Sequence, residues 1–199
     1  MEKRFDELLL EYLDCQDGPK RKSLEETLWK EYGAERAVLV MDLSGFSTLT
    51  EKFGIVHNLA IIRRMQLTAR PIIEAGGGRV VKFEADNCFA MFEGVYPAVQ
   101  AAIAIHRAMD DAVVHSSEPI EIRVGIGIDY GEVLLTAEDD YFGMAVNRAS
   151  KLGEDMAGAH DILITEMALK NLPPDCEVQA EPLASTPSRL NLTVYSIRH

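Results

Sequence analysis

VVKFEADNCFAMF, residues Val80 to Phe92, holds two apolar runs around a polar turn. Val80, Val81 and Phe83 lead in; Cys88, Phe89, Met91 and Phe92 lead out. Such runs, bounded by turn residues, predict two buried strands paired as a hairpin. Asp86 and Asn87 suit the turn because their side chains bond nearby backbone. Lys82 just before it, and two acids within it, are more than a hairpin needs. Asp86 either shapes the turn or holds a ligand.

Upstream, RAVLVM (Arg36 to Met41) predicts a buried strand that stops at DLSGFSTLTEKFG. A helical pattern from about Val56 to Glu74 ends at Gly76 to Gly78, with Pro71 a candidate kink or division. Downstream, an alanine-rich helix is expected from about Tyr96 to Val114. IEIRVGIGIDYGEVLLT reads as a second hairpin, turning at Asp129 to Gly131. YFGMAVNRASKLGEDM is helical, DILIT a strand, and RLNLTVYSIR a closing strand. Strand, helix, hairpin, helix, hairpin is not the alternation of a doubly wound parallel sheet. It suits an α+β sandwich of ferredoxin-like kind, a mostly antiparallel sheet with helices over one face.

Residues 1–33 stand apart from this pattern. Phe5, Leu8, Leu9, Tyr12 and Leu13 fall on one helical face, and DGPK breaks it. Ser23 with Glu26 forms a capping-box signature for a second short helix carrying Leu24, Leu28 and Trp29. The expected division is an N-terminal helical extension, 1–33, and one domain, 34–199. The extension either packs on its own domain or serves dimerisation or signal coupling.

The net charge of −12 argues against nucleic-acid binding, which leaves a basic footprint. It does not exclude a nucleotide, provided cations stand between the charges. No apolar run approaches the ~20 residues of a membrane span, and the acidic first residues lack a signal-peptide pattern. Cys15, Cys88 and Cys176 are scattered in a way that suggests neither a disulfide framework nor a zinc site, so a cytoplasmic location is expected.

Asp42 follows the first strand, and Asp86 sits in the next hairpin. On neighbouring strands, both carboxylates emerge near one end of the sheet and repel unless a cation or proton intervenes. Hard oxygen donors of this kind suit Mg²⁺ or Mn²⁺; the alternative is a cap and a turn residue. Ser44, Gly45, Ser47 and Thr48 allow a tight turn into a helix, whose N–H groups can cradle phosphate. Asn147 and Lys151 are one helical turn apart, either a solvated face or a sugar- and phosphate-holding pair. GIGIDYG lacks the glycine spacing of a dinucleotide fingerprint, and no helix follows it.

In this order, VLVMDLSGFSTLTEKFG, GGRVVKFEADNCFAMF, IRVGIGIDYGEVL and DDYFGMAVNRASKL resemble the class III adenylate/guanylate cyclase catalytic domain. The resemblance runs from about Ala37 to the C-terminus, and it implies the cyclase fold for 34–199. It further implies a homodimer with active sites shared between subunits. Asp42 and Asp86 would hold two divalent metals, Mg²⁺ or Mn²⁺, with Leu43 a further ligand through its carbonyl. The turn Ser44, Gly45, Phe46, Ser47 would take the triphosphate. Lys82 and Asp140 fall on base-selecting positions and form the adenine-type pair, so the implied substrate is ATP and the product cyclic AMP. Asn147 matches the residue that orients the ribose.

Three positions depart from the family pattern. Lys151 stands where arginine is usual, keeping the charge but losing the planar fork that suits a pentacovalent phosphate. Ala85 replaces a glycine before Asp86. STPSRLNLTVY lacks the usual lysine for the terminal phosphates, leaving Arg189 as the nearest candidate. Adenylate cyclase is the expectation. The alternative is a degenerate, nucleotide-binding regulatory module, with a partner protein, a small ion or the N-terminal helices as candidate controls.

Overall fold

A computed structural model of the chain describes residues 2–111, 121–136, 140–183 and 192–199, with backbone alone for 2, 3 and 46–48. At its centre is β1 (Gly33–Leu43), an apolar strand whose Ala37 to Met41 are wholly buried. Burial on both faces explains a run without polar alternation. β1 pairs antiparallel with β3 (Asn87–Phe92) on one side and β4 (Val124–Leu135) on the other. β2 (Arg79–Glu84) lies outside β3. β6 (Ile162–Thr165), β8 (Val194–Ile197) and β7 (Ala180–Pro182) continue beyond β4, and short β5 (Tyr141–Phe142) pairs with the end of β4. Only β4 and β6 run parallel among the paired strands described.

Strand alternation sorts the side chains into two layers. Leu39, Met41, Ile126 and Ile128 pack with Ile61, Met65 and Ile73 of α4 (Ile55–Ala75) and Ile105 of α5 (Val95–Asp111). Val38 and Val40 face the opposite way, onto Ala145 and Ala149 of α6 (Met144–Ser150). The helices expected over one face therefore cover both. α6 continues into a π-helix, Lys151–Met156, which also lies on this second face. Pro71 neither divides nor ends α4.

The expected hairpin at Asp129 to Gly131 is not there. β4 is continuous through these residues, with Asp129, Tyr130 and Gly131 opposite Val38, Ala37 and Arg36 of β1. Asp129 is fully buried. Two glycines on this side of the sheet allow close approach. A Cβ on Gly127 would stand 2.3 Å from the Ala149 carbonyl oxygen, and one on Gly153 2.5 Å from that of Val40. The second face thus carries a helix in backbone contact with the sheet.

α1 (Glu2–Asp14) and α2 (Gly18–Tyr32) join through Phe5, Leu28 and Tyr32, with Leu8 and Leu134 of β4 against them. Phe5 and Tyr32 meet edge to face at 4.8 Å. The proposed capping box is corrected: α2 starts at Gly18, where the Asp17 side chain accepts the Lys20 N–H. Ser23 lies inside the helix, its carbonyl oxygen accepting the Thr27 hydroxyl. Pro19 at the first turn fits the earlier start, since its missing N–H costs nothing there. Two short helices complete the chain, α3 (Phe46–Phe53) and α7 (Glu166–Lys170).

The β2–β3 hairpin turns at Ala85 and Asp86, and Ala85 has φ +51°. A Cβ in the left-handed region costs ~1–2 kcal/mol, partly offset by the lower chain entropy of alanine. Ala85→Gly is expected to raise the melting temperature by about 1–3 °C. A lower value in a thermal scan would mean that the methyl makes contacts worth more than its strain.

Candidate active site

Asp42 sits near the end of β1, with Asn87 of β3 and Gly125 of β4 as its cross-strand neighbours. It follows Val38 and Val40 in the alternation, so it belongs to the α6 face. Asp86, one residue before Asn87, is close enough to raise the Asp42 carboxyl. That carboxyl is pushed up to about 6, first by burial, then by the charges of Asp86, Glu154 and, more weakly, Asp155; the Leu43 N–H opposes the shift. Glu154 is itself pushed up, first by burial and then by Asp155, Glu84 and Asp86, against a hydrogen bond with Ser150. Asn87 adds a buried amide oxygen with no hydrogen-bond partner among the described residues.

This donor set fits a hard divalent cation. The Asp42 carboxylate, crowded by acidic neighbours and beside a buried neutral oxygen that lacks a partner among the described residues, lacks only positive charge. A stability consequence follows from the sign of the shift. A folded pKa near 6, above the ordinary carboxylate value, means the folded state holds its proton more tightly. Metal-free stability is therefore lost as pH rises from about 4 to about 6, and the penalty stays in full above that. Asp42→Asn is expected to stabilise the metal-free protein at pH 7.5 by on the order of 1 kcal/mol, after allowance for solvent screening. The gain should shrink towards pH 5. Mg²⁺ or Mn²⁺ should raise the melting temperature of the unmodified chain and leave the variant unmoved; equal metal responses would remove Asp42 from the ligand set.

Beyond Leu43 the chain turns through Ser44 and Gly45 into α3. The Ser44 N–H is already used, bonded to the Arg123 carbonyl at 2.9 Å. Gly45, at φ +81°, makes the turn that starts the helix. The first N–H groups of α3, those of Phe46 and Ser47, have no acceptor within the helix. Within Ser44 to Ser47, the backbone N–H groups without a helical acceptor therefore belong to the later residues. The Leu43 side chain is buried in the core, and the residue pairs with Val124.

Lys82 reaches the same face through a β-bulge. Val80 pairs with Ala90, yet Lys82 pairs with Phe89, so the register slips by one residue at Val81. The slip places both Val81 and Lys82 opposite Phe89 on the α6 side. A bulge re-aims a side chain in this way. Lys82 Nζ then donates to Asp140 Oδ2 at 3.0 Å and lies 5.4 Å from the centre of the Phe89 ring. Asp140 is held in turn, its Oδ1 accepting the Tyr141 N–H at 2.8 Å and its own N–H donating to Thr136 Oγ1 at 3.2 Å.

Asn147 is exposed on α6, at a groove of about 550 Å³ lined also by Trp29 of α2, Glu132, Phe142, Met144 and Arg148. Lys151 opens the π-helix and is ion-paired with Asp155. Arg189 lies outside the described residues. Glu154, Asp155 and Arg148 were not anticipated from the sequence. The widened turn of the π-helix shifts Glu154 and Asp155 from the faces an α-helix would assign them. Arg148 binds the buried Asp129, which also accepts the Thr165 hydroxyl.

The family model of the adenylate and guanylate cyclase catalytic domain matches residues 35–198, and the chain belongs to that family. It is 31% identical over 116 residues to an adenylate cyclase of Streptomyces coelicolor, covering 58% of this chain and 29% of the relative. It is 27% identical over 130 residues to the putative adenylate cyclase 3 of Rhizobium meliloti, covering 65% and 22%. The chain spans about a third or less of the length of the curated relatives it matches. The fold is similar to that of the adenylyl cyclase CyaB from P. aeruginosa, with a TM-score of 0.69 and 18% identity over 84% of this chain and 95% of the other. It is also similar to the catalytic core of a rhodopsin-guanylyl cyclase with converted specificity, with a TM-score of 0.72 and 18% identity over 83% of this chain and 98% of the other. This is the class III cyclase architecture, a mostly antiparallel sheet with packed helices. Family members use divalent metals and bind nucleotide. Among the described residues, no helix is long and apolar enough to cross a membrane.

Proposed function

We propose that the chain is an adenylate cyclase, converting ATP to cyclic AMP and pyrophosphate in a homodimer with shared active sites. The observation that carries the choice of base is the contact between Lys82 and Asp140, 58 positions apart in sequence. An ammonium donor beside a carboxylate acceptor matches adenine, which offers an acceptor at N1 and a donor at the 6-amino group. Guanine presents the reverse pattern along that edge.

In this reading Asp42 and Asp86 hold two divalent ions, Mg²⁺ or Mn²⁺, with the Leu43 carbonyl beside them. Bound there, the ions supply charge for the 3′-oxygen and for the phosphates. The N-terminal turn of α3 takes the triphosphate through backbone N–H groups. Asn147, from the opposite subunit, orients the ribose so that its 3′-oxygen faces the α-phosphorus in line with the departing pyrophosphate. Lys151 offsets charge on the pentacovalent phosphate, with Arg189 the candidate for the terminal phosphates. Residues 1–33 form an extension to the 34–199 catalytic domain, and a cytoplasmic location suits the substrate.

The Lys151–Asp155 ion pair favours a second reading, a nucleotide-binding module with little turnover, because it occupies the cation needed at the transition state. One assay separates the two. Purified protein with ATP and Mn²⁺, then Mg²⁺, is expected to form cyclic AMP that excess GTP suppresses poorly and that an Asp42→Ala protein does not form. ATP binding without product would support the module, and preferential cyclic GMP formation would overturn the assignment of the base.

A further inference from the structure

Three histidines converge on the face of the sheet away from Asp42. His106 comes from α5, His160 from the turn before β6, and His199 follows β8. One ligating atom from each lies within 4.8 Å of the others. The rings of His106 and His160 stack at 4.5 Å, and those of His160 and His199 are 4.9 Å apart.

The outer ring nitrogens fix which atoms face the centre. His106 Nε2 lies 3.0 Å from the Val124 carbonyl oxygen, which accepts only if Nε2 carries the proton. His199 Nδ1 lies 3.3 Å from the Ile197 carbonyl oxygen, a longer contact that turns Nδ1 away from the centre. His106 Nδ1, a lone-pair nitrogen, and His199 Nε2 stand 2.7 Å apart, so one proton lies between them in the metal-free chain. A metal ion bound there would displace that proton and take both lone pairs. His160 Nε2 faces the Asp110 carboxylate at 3.8 Å, an ion-pair distance rather than a hydrogen bond, and Nδ1 is its other ring nitrogen. Imidazoles whose far nitrogen is tied to a carbonyl or carboxylate are the usual arrangement around a metal. The backbone contributes too: His160 is held at φ +71°, its N–H donating to the same Val124 carbonyl at 3.1 Å.

We propose that His106, His160 and His199 form a three-imidazole site for a borderline divalent ion, Zn²⁺ foremost, distinct from the carboxylate site on the other face. Three neutral nitrogens without a carboxylate in the first coordination sphere disfavour Mg²⁺ and suit Zn²⁺. Tetrahedral Zn–N bonds of about 2.0–2.1 Å need nitrogens about 3.3 Å apart. Binding therefore requires the His106–His199 pair to open from 2.7 Å, the widest pair to close from up to 4.8 Å, and the His160 ring to turn out of its stack on His106. A bound ion would join α5, the turn before β6 and the end of β8 to the start of β4.

The test titrates Zn²⁺ into the full chain by calorimetry at pH 7.5 in excess Mg²⁺, and records the Co²⁺ visible spectrum. The expected result is one Zn²⁺ per chain, a higher melting temperature, and four-coordinate Co²⁺ bands. His160→Ala and His199→Ala should each weaken binding by more than the ~10–100-fold that loss of an outer-shell partner costs. These positions are accessible enough for both variants to fold; His160 has a 42% exposed side chain. Asp42→Ala should bind Zn²⁺ here as the unmodified chain does. Binding that survives both histidine variants, or that disappears with Asp42→Ala, overturns the site. No Zn²⁺ binding would likewise overturn the site and leave the His106–His199 contact a shared proton alone.

Discussion

Asp86→Asn is expected to abolish cyclic AMP formation, by ~10³-fold or more, while moving the melting temperature by no more than a degree or two. Removing a single preorganised electrostatic contact to a transition state already costs ~10²–10³ in rate. The asparagine keeps the shape and hydrogen bonding that a hairpin turn requires, but not the negative charge that a divalent cation requires. In the metal-free chain the change should even relieve Asp42, whose carboxyl Asp86 helps to raise. A large fall in stability with intact turnover would return Asp86 to the role of a turn residue. The same logic extends across subunits. Mixing Asp42→Ala protein with Asn147→Ala protein should restore one working site per heterodimer. Absence of recovery after confirmed subunit exchange would reject sites shared between chains.

The second large effect concerns folding. Asp129 has no exposed surface, and its two oxygens are taken by the Arg148 guanidinium and the Thr165 hydroxyl. Arg148 remains 24% exposed, so its charge keeps some contact with water. Breaking a buried pair by removing one partner typically costs 3–5 kcal/mol, because the other is left desolvated. Asp129→Ala is expected to lose about 3–5 kcal/mol in urea unfolding, at the lower end if Arg148 swings out to solvent. Asp129→Leu with Arg148→Met should recover most of that, since apolar replacement of both partners removes the uncompensated charge. A cost below about 1 kcal/mol for Asp129→Ala would give the contact the weight of a surface ion pair.

The same residue marks where sequence patterns stop being informative. The β2–β3 hairpin was legible because its turn, its apolar runs and its polar interruption are all local. Asp129–Tyr130–Gly131 has the same local signature, but its partners lie 19 and 36 residues away, beyond the reach of any local rule. Gly127, within the stretch misread as a hairpin, accommodates a helix lying on the strand, and Gly125 the segment that follows the helix. The candidate site divides in the same way. Asp42 and Asp86 were legible at the ends of neighbouring strands and Lys82 and Asp140 from motif order, whereas the bulge that turns Lys82 towards Asp140 has no signature in VVKFE. Glu154 and Asp155 escaped notice because a π-helix does not follow the periodicity used to assign helical faces.

The missing side chains at Gly127 and Gly153 have a mechanical consequence. With carbonyl oxygens where β-carbons would be, the second-face helix has no cushion of side chains over which to slide. Asn147 and Lys151 ride on that helix and are keyed to the same sheet that carries Asp42. Within one chain, these groups form a block without an internal slip plane. If each site draws on two chains, any signal that tunes the spacing between metal and ribose must rotate one whole block against the other. A sensor coupled to the domain would act as a lever on the pair, and the cyclase would be throttled at its seam rather than from within.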